Sequence, residues 1–416
     1  MDILRGDLHL LNNNLNIGMT MQNKGSLLLL TLSVAVFGVI TTEIGIIGLL
    51  PKLISQLHVT ATQVGYLVSI YAVIVAITGP FITLLLSGLN KKTVLLAILL
   101  VFVVSNLIYA TTDVFNTMLI FRILPALTHA VFFSVALVVA TQSVPKEKSA
   151  GAAAKIFAGV AIGLVLGVPL NTLLAEHVSL AAAFWFAAVA CFIAFLGILL
   201  FVPSLPAKEK VSFASQLSVL RNGKLWLTII TVTMIFAAMF SSFSYVADYL
   251  AGITHLNNNT ISGLLLVFGI CGFIGNFVFS TFLQKNVVKT THLYPLLFAL
   301  VLVLIWITGS SSLAMCLLTV FWGAFHSSGL VISQTWLMRE ASRAPEFANS
   351  LYMSFSNLGI TIGSLAGGWF IAEFGTRSVV LSSIIFAVLA FISIFIKQRA
   401  DNAGHRSGTL RSVRQS

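Results

Sequence analysis

Glu43 sits inside Leu27 to Leu50, a stretch of 24 residues with no other ionisable side chain. A charge at the centre of an apolar helix in lipid costs about 2.5–3.5 kcal/mol, so an acid there needs a compensating role. It carries a proton, contacts a solute, or hydrogen-bonds a neighbouring helix as a neutral acid. Asp248, near the end of another apolar run, is a second embedded acid, closer to the boundary where water reaches it. Arg122 lies about one and a half turns into a third such run. An arginine in that position stays charged and needs a carboxylate or several carbonyl oxygens. His129 follows seven residues later on the same helical face, with Pro125 between them to loosen the helix. Histidine titrates in the physiological range and suits a proton relay, but it also serves as a neutral hydrogen-bonding core residue. His326 is a second embedded histidine; the remaining six lie in tails, in or beside loops, or near a helix start.

Other polar side chains are candidates for holding a solute. Ser241, Tyr245 and Asp248 share one face, and Asn349, Ser356 and Asn357 lie on neighbouring faces of a later run. Asn171, Tyr245, His326, Gln334 and Asn357 are taken as substrate contacts. No carboxylates and histidines fall at zinc-site spacing, and no nucleophile–base set is apparent, so neither metal nor enzymatic chemistry is expected. No cofactor is expected. Cys191, Cys271 and Cys316 lie within apolar runs and read as packing residues. There is no GxxxxGK[ST] phosphate loop, which favours an ion-gradient carrier over an ATP-driven pump.

The elements that must position these residues are transmembrane helices. Charged residues are 8% of the chain against 58% apolar, where a soluble domain carries roughly a quarter charged. Twelve apolar runs emerge: roughly 27–50, 64–87, 93–111, 117–142, 150–175, 180–203, 225–250, 260–283, 292–309, 312–338, 346–373 and 377–397. Each far exceeds a barrel strand, so the expected class is an all-α membrane protein. The domain reading is an N-terminal segment 1–25, disordered by composition, a six-helix half 26–203, a linker 204–224, a second six-helix half 225–397, and a basic disordered tail 398–416. Two six-span halves suit a carrier that binds its solute between halves that rock against each other.

Basic residues set the orientation. With the N-terminus inside, 19 of the 23 Lys and Arg residues fall in inner segments, and only Lys52 and Arg377 fall outside. By the positive-inside rule both termini face the cytoplasm. Retention of basic loops beside anionic lipid accounts for the net charge of +11, and no nucleic-acid partner is needed. Residues 1–25 lack a signal-peptide core, and Met19 and Met21 offer alternative starts.

Several segments resemble the major facilitator superfamily, in its twelve-span drug/H+ antiporter branch, and within it the bacterial sugar efflux transporters. They are Thr42-Glu43 with Gly48-Leu49-Leu50-Pro51, Arg122-Ile123, His129-Ala130-Val131-Phe132 with Ser134, and Ser244-Tyr245 before Asp248. Gly159, Gly163 and Gly167-Val168-Pro169-Leu170 resemble the antiporter motif. The loop after the second span departs from the family pattern: Ser87 stands at the usual Asp, although the basic pair Lys91-Lys92 is kept. The gating mechanism built on that Asp is therefore not carried over. The resemblance implies a secondary efflux transporter of a bacterial inner membrane, functional as a monomer among membrane lipids. It implies exchange of protons for small neutral solutes such as sugars, with multidrug or purine nucleoside efflux as the alternative. It links Arg122 to proton coupling, and Glu43, His129 and Asp248 are expected in the same role from their chemistry and placement. It assigns Gly159, Gly163, Gly167 and Pro169 to packing between the halves.

Overall fold

The structure, a computed structural model, describes residues 25–59, 61–206 and 218–413. Among them are twelve helices long and apolar enough to cross a membrane. They are α1 (Gly25–Leu49), α2 (Tyr66–Leu86), α3 (Lys91–Thr111), α4 (Phe115–Gln142), α5 (Lys146–His177), α6 (Leu180–Phe201), α7 (Gly223–Gly252), α8 (Thr260–Lys285), α9 (Val287–Thr308), α10 (Ser312–Met338), α11 (Pro345–Phe374) and α12 (Thr376–Asp401). Their outer faces are studded with exposed Leu, Ile, Val and Phe, among them Leu85, Leu200, Leu313 and Leu365. In water such a surface would be a liability; against hydrocarbon it is the expected exterior. Asn90, Asn222 and Asn286 open α3, α7 and α9 by accepting from the backbone N–H of Lys92, Lys224 and Lys289.

The two halves repeat each other. In the first, α2 packs on α4 and α3 on α6; in the second, α8 packs on α10 and α9 on α12. The register repeats too. Gly159, Gly163 and Gly167 of α5 lie against Ser33, Val36, Phe37, Ile40 and Thr41 of α1. Gly359, Gly363 and Gly367 of α11 lie against Thr233, Phe236, Ala237 and Ser241 of α7, 200 positions further on. A side chain at any of these glycines would meet the partner helix at 2.3–2.7 Å, so hydrogen is what lets the two backbones cross so closely. This corrects the interdomain role expected for the α5 stripe, because its glycines face a helix of their own half. The face that α5 turns to the other half carries Ala161, Ile162, Val165 and Leu166, and Gly269 of α8 supplies the clearance there. From Gly163 to Gly167 the α5 backbone widens into a π-helical turn, and Pro169 lies just beyond it, at the start of the last α-helical segment.

Between the halves, α11 packs on α2 and α4, and α8 packs on α5. At the basic end, Lys91 at the start of α3 forms an ion pair with Glu346 at the start of α11. In the second half, fully buried Lys397 reaches Glu340 at 2.6 Å and Asp401 at 2.9 Å, and Lys224 pairs with Asp401 at 2.8 Å. The backbone is helical from Val379 through Val413. The intrahelical Lys397–Asp401 pair and the tie to Lys224 stabilise that helix where it leaves the bundle. Met19, Met21 and most of the 204–224 linker lie outside the described residues.

Candidate functional site

Arg122 enters a site buried in the first half. Its guanidinium donates to three backbone carbonyls: Leu67 at 2.9 Å, Thr42 at 2.7 Å, and Glu43. It has no ion pair with the Glu43 carboxylate. The carbonyls of 42 and 43 lie where α1 tightens into a 3-10 turn from Gly45 to Leu49, the point at which regular α-type pairing of carbonyls ends. Five N–H groups in a planar fork match several oxygens around one point, which a lysine does not. Arg122 thus ties α4 to α1 and α2, and its guanidinium carbon lies 4.4 Å from the centre of the Tyr71 ring.

Glu43 itself is half-buried, and its Oε2 lies 3.7 Å from Nε2 of His129. The other ring nitrogen, Nδ1, is 2.9 Å from the Tyr71 hydroxyl. Phe133 tilts against the imidazole, with centroids 4.9 Å apart. Behind Glu43, Asn106 of α3 donates to Thr42 Oγ1 at 2.8 Å and to the Phe102 carbonyl at 2.9 Å. The expected trio of Glu43, Arg122 and His129 does converge. Tyr71, Asn106 and Thr42 complete it, and none of the three stood out as a site residue, since single hydroxyl and amide groups in apolar runs carry no spacing signal.

His326 is the counterpart in the second half. It holds in α10 the place His129 holds in α4, and Phe268 stands 58 residues before it as Tyr71 stands before His129. The rings of Phe240, Phe243 and Phe268 surround it, with centroids 5.2, 4.5 and 5.2 Å away. In the register of the glycine contacts Phe243 corresponds to Glu43. By the α4-to-α10 offset Thr319 corresponds to Arg122. Phe268 offers no hydroxyl, and His326 Nδ1 is buried without a hydrogen-bond partner.

The remaining candidates divide. Tyr245 and Asp248 line a cavity of about 610 Å³ at the end opposite the basic loops, together with Gly252, Gly368, Ile371 and Thr376. Tyr245 donates to the Ser364 carbonyl at 3.0 Å, and Ser244 and Ser364 hydroxyls are 2.7 Å apart. Asp248 is exposed, on a short helical segment Val246–Gly252 that follows a break in α7. Asn357 is half-buried and donates to the Met353 carbonyl at 2.8 Å. Two substrate candidates are corrected. Gln334 is buried and donates to Asn349 at 2.9 Å, tying α10 to α11. Asn171 is buried between α5 and α1, donating to the Thr41 carbonyl at 3.3 Å. Both are amides spent on helix contacts. Among the described residues no group of three or more His, Cys, Asp or Glu side chains is placed to hold a metal ion.

Known proteins share this architecture. The Major Facilitator Superfamily profile matches residues 32–310 and 289–413. The chain is 30% identical over 372 residues to the inner membrane transport protein YdhP of Escherichia coli (strain K12), covering 89% of this chain and 96% of that one. It is 29% identical over 356 residues to the uncharacterized MFS-type transporter YtbD of Bacillus subtilis (strain 168), covering 84% and 90%. Solved structures with the same fold include the human organic anion transporter MFSD10, with TM-score 0.70, 15% identity and coverage of 91% of this chain and 99% of that one. The Escherichia coli fucose:proton symporter FucP superposes with TM-score 0.71 at 14% identity, over 88% of this chain and 98% of its own. At such identities these two speak for the fold alone. The repeated halves and a family match that runs from residue 32 to residue 413 lead to one assignment: the chain belongs to the Major Facilitator Superfamily and is a multi-pass secondary transporter, not an enzyme.

Proposed function

We propose that this transporter is a proton-coupled antiporter of the drug/H+ branch, exporting small neutral solutes such as sugars across a bacterial inner membrane by alternating access. The observation that carries this reading is the Glu43–His129 contact at 3.7 Å, a carboxylate and an imidazole facing each other inside an apolar bundle. Both groups gain and lose protons, and burying either without function is costly. Arg122 supports the pair by holding the α1 backbone at Glu43 itself. The solute site lies toward the other half, where Tyr245, Ser244, Ser364 and Asn357 offer hydroxyl and amide groups and Asp248 faces the cavity. The basic-residue asymmetry supports cytoplasmic termini, and the name of the YdhP relative supports an inner membrane.

A second reading, export of drugs or purine nucleosides, is favoured by the Phe240, Phe243 and Phe268 cage around His326, which suits a flat ring better than a polyhydroxylated one. Reconstitution into liposomes with an imposed pH gradient tests both. A panel of sugars, nucleosides and aromatic drugs is offered, and the solute that moves against its own gradient names the class. If every panel member equilibrates at the same rate with and without the pH gradient, proton coupling is wrong.

A further inference from the structure

Like Glu43 and Arg122, Tyr71 has no polar counterpart of its own kind at the matching place in the second half. In the second half a phenylalanine, Phe268, occupies its place, the histidine is retained, and the nitrogen that Tyr71 serves has no partner. A hydroxyl at that position is therefore not needed to pack a histidine in this place of the fold.

We propose that Tyr71 is a positioning residue of the proton site, holding the His129 ring in one orientation through both of its protonation states. The proposal rests on the proton-coupling reading above. A protonated Glu43 faces the unprotonated Nε2, and the ring's own N–H is then at Nδ1, donating to the Tyr71 oxygen across 2.9 Å. When the carboxyl proton passes from Glu43 to Nε2, its O–H bond breaks as the Nε2–H bond forms, and a carboxylate faces an imidazolium. Nδ1–H donates to the Tyr71 oxygen before and after the transfer, so the ring keeps one orientation, and no covalent bond in Tyr71 changes.

The ring of Tyr71 is itself held. The Arg122 guanidinium lies against its face, and the carbonyl that Arg122 Nε engages belongs to Leu67, one helical turn before Tyr71. His129 and Tyr71 meet edge to face, with centroids 5.7 Å apart. The ionisable groups that act on the pair are Glu43 from α1, Tyr109 from α3, Arg122 from α4 and Cys191 from α6. The ionisable residues of α5, namely Lys146, Glu147, Lys148, Lys155, Glu176 and His177, are all exposed. On α11, Glu346 is paired with Lys91 at the basic end, Tyr352 donates to the Leu330 carbonyl and Glu373 is exposed.

The test compares wild type, Tyr71→Phe and the double variant Tyr71→Phe/His129→Gln in liposomes, measuring gradient-driven export across pH 5.5–8.5 and solute–solute exchange at fixed pH. Tyr71→Phe is expected to keep exchange within about twofold of wild type while its export-versus-pH curve moves by at least about half a unit. In the double variant the Tyr71→Phe displacement should vanish, because the ring it acts through is gone. A Tyr71→Phe curve that overlays a pH-dependent wild-type curve overturns the positioning role. So does an equal fall of export and exchange at every pH, which would mark Tyr71 as packing only. A wild type indifferent to the pH gradient sinks the coupling reading first, and with it this one; the two failures are thus told apart.

Discussion

The two embedded histidines occupy matching places in matching halves, and their surroundings differ in kind. His129 faces a carboxylate and a tyrosine hydroxyl, with a guanidinium beside them that three carbonyls hold. His326 faces three phenyl rings. The same backbone geometry thus hosts one histidine among polar, titratable groups and another among aromatic rings. In an apolar interior a polar group persists only with partners, so a partner set rather than the histidine defines what each half can do. The proposed function divides the labour accordingly, with protons handled in the first half and solute in the second.

The largest effect should come from removing the titrating pair. Glu43→Gln keeps size and hydrogen bonding without ionising, and should lower gradient-driven export by about tenfold or more while leaving exchange measurable. His129→Gln should flatten the pH profile, whereas His326→Gln should leave the profile in place and alter the apparent KM for solute. Matching pH behaviour in the two histidine variants would break the comparison outright.

Arg122→Ala comes next. It strands buried carbonyls on two helices, each worth about 1–3 kcal/mol when left without a donor. Thermal unfolding in detergent should shift to clearly lower temperature, with export and exchange falling together. Thr319→Ala, at the matching place in the second half, should have a much smaller effect on the unfolding temperature, since Thr319 donates only within its own helix, to Met315 at 2.7 Å.

The glycine stripes sharpen the contrast further. A methyl at Gly163 would meet Ile40 Cγ2 at 2.7 Å and Cβ at 2.9 Å; rotation relieves the first contact, and a small shift of the helix must relieve the second. A methyl at Gly363 would meet the Ala237 carbonyl oxygen at 2.5 Å, and backbone cannot rotate away. Gly363→Ala should therefore destabilise by about 1–3 kcal/mol and Gly163→Ala by less, read as the difference in unfolding midpoint. The smallest effect is expected from Phe268→Tyr, which offers His326 Nδ1 the hydroxyl it lacks. If the halves are equivalent in geometry, the midpoint should rise by the worth of one hydrogen bond, about 1 kcal/mol. A fall would show that the two ring pairs are not superimposable.

The sequence carried the outer logic of the molecule further than its interior. Arg122 and His129, seven residues apart on one face, announced a polar site, and the missing charges announced the bilayer. Gln334 and Asn171 looked the same as solute contacts because an amide in an apolar run gives no clue to its partner. Their partners, Asn349 and the Thr41 carbonyl, lie on other helices, and in the second case 130 residues away.

What the residues fixed by themselves is what hydrophobicity and length decide one helix at a time: twelve spans, a membrane and two sets of six. Those follow locally, since a backbone in hydrocarbon must satisfy its hydrogen bonds within each helix. Tertiary structure alone decided which groups meet. It turned the α5 glycines toward α1 instead of the other half, gave Arg122 carbonyls in place of the Glu43 carboxylate, and set Tyr71 against His129. Those outcomes depend on the rotation and crossing of helices far apart in the chain, and close packing between helices, rather than any single segment, sets them.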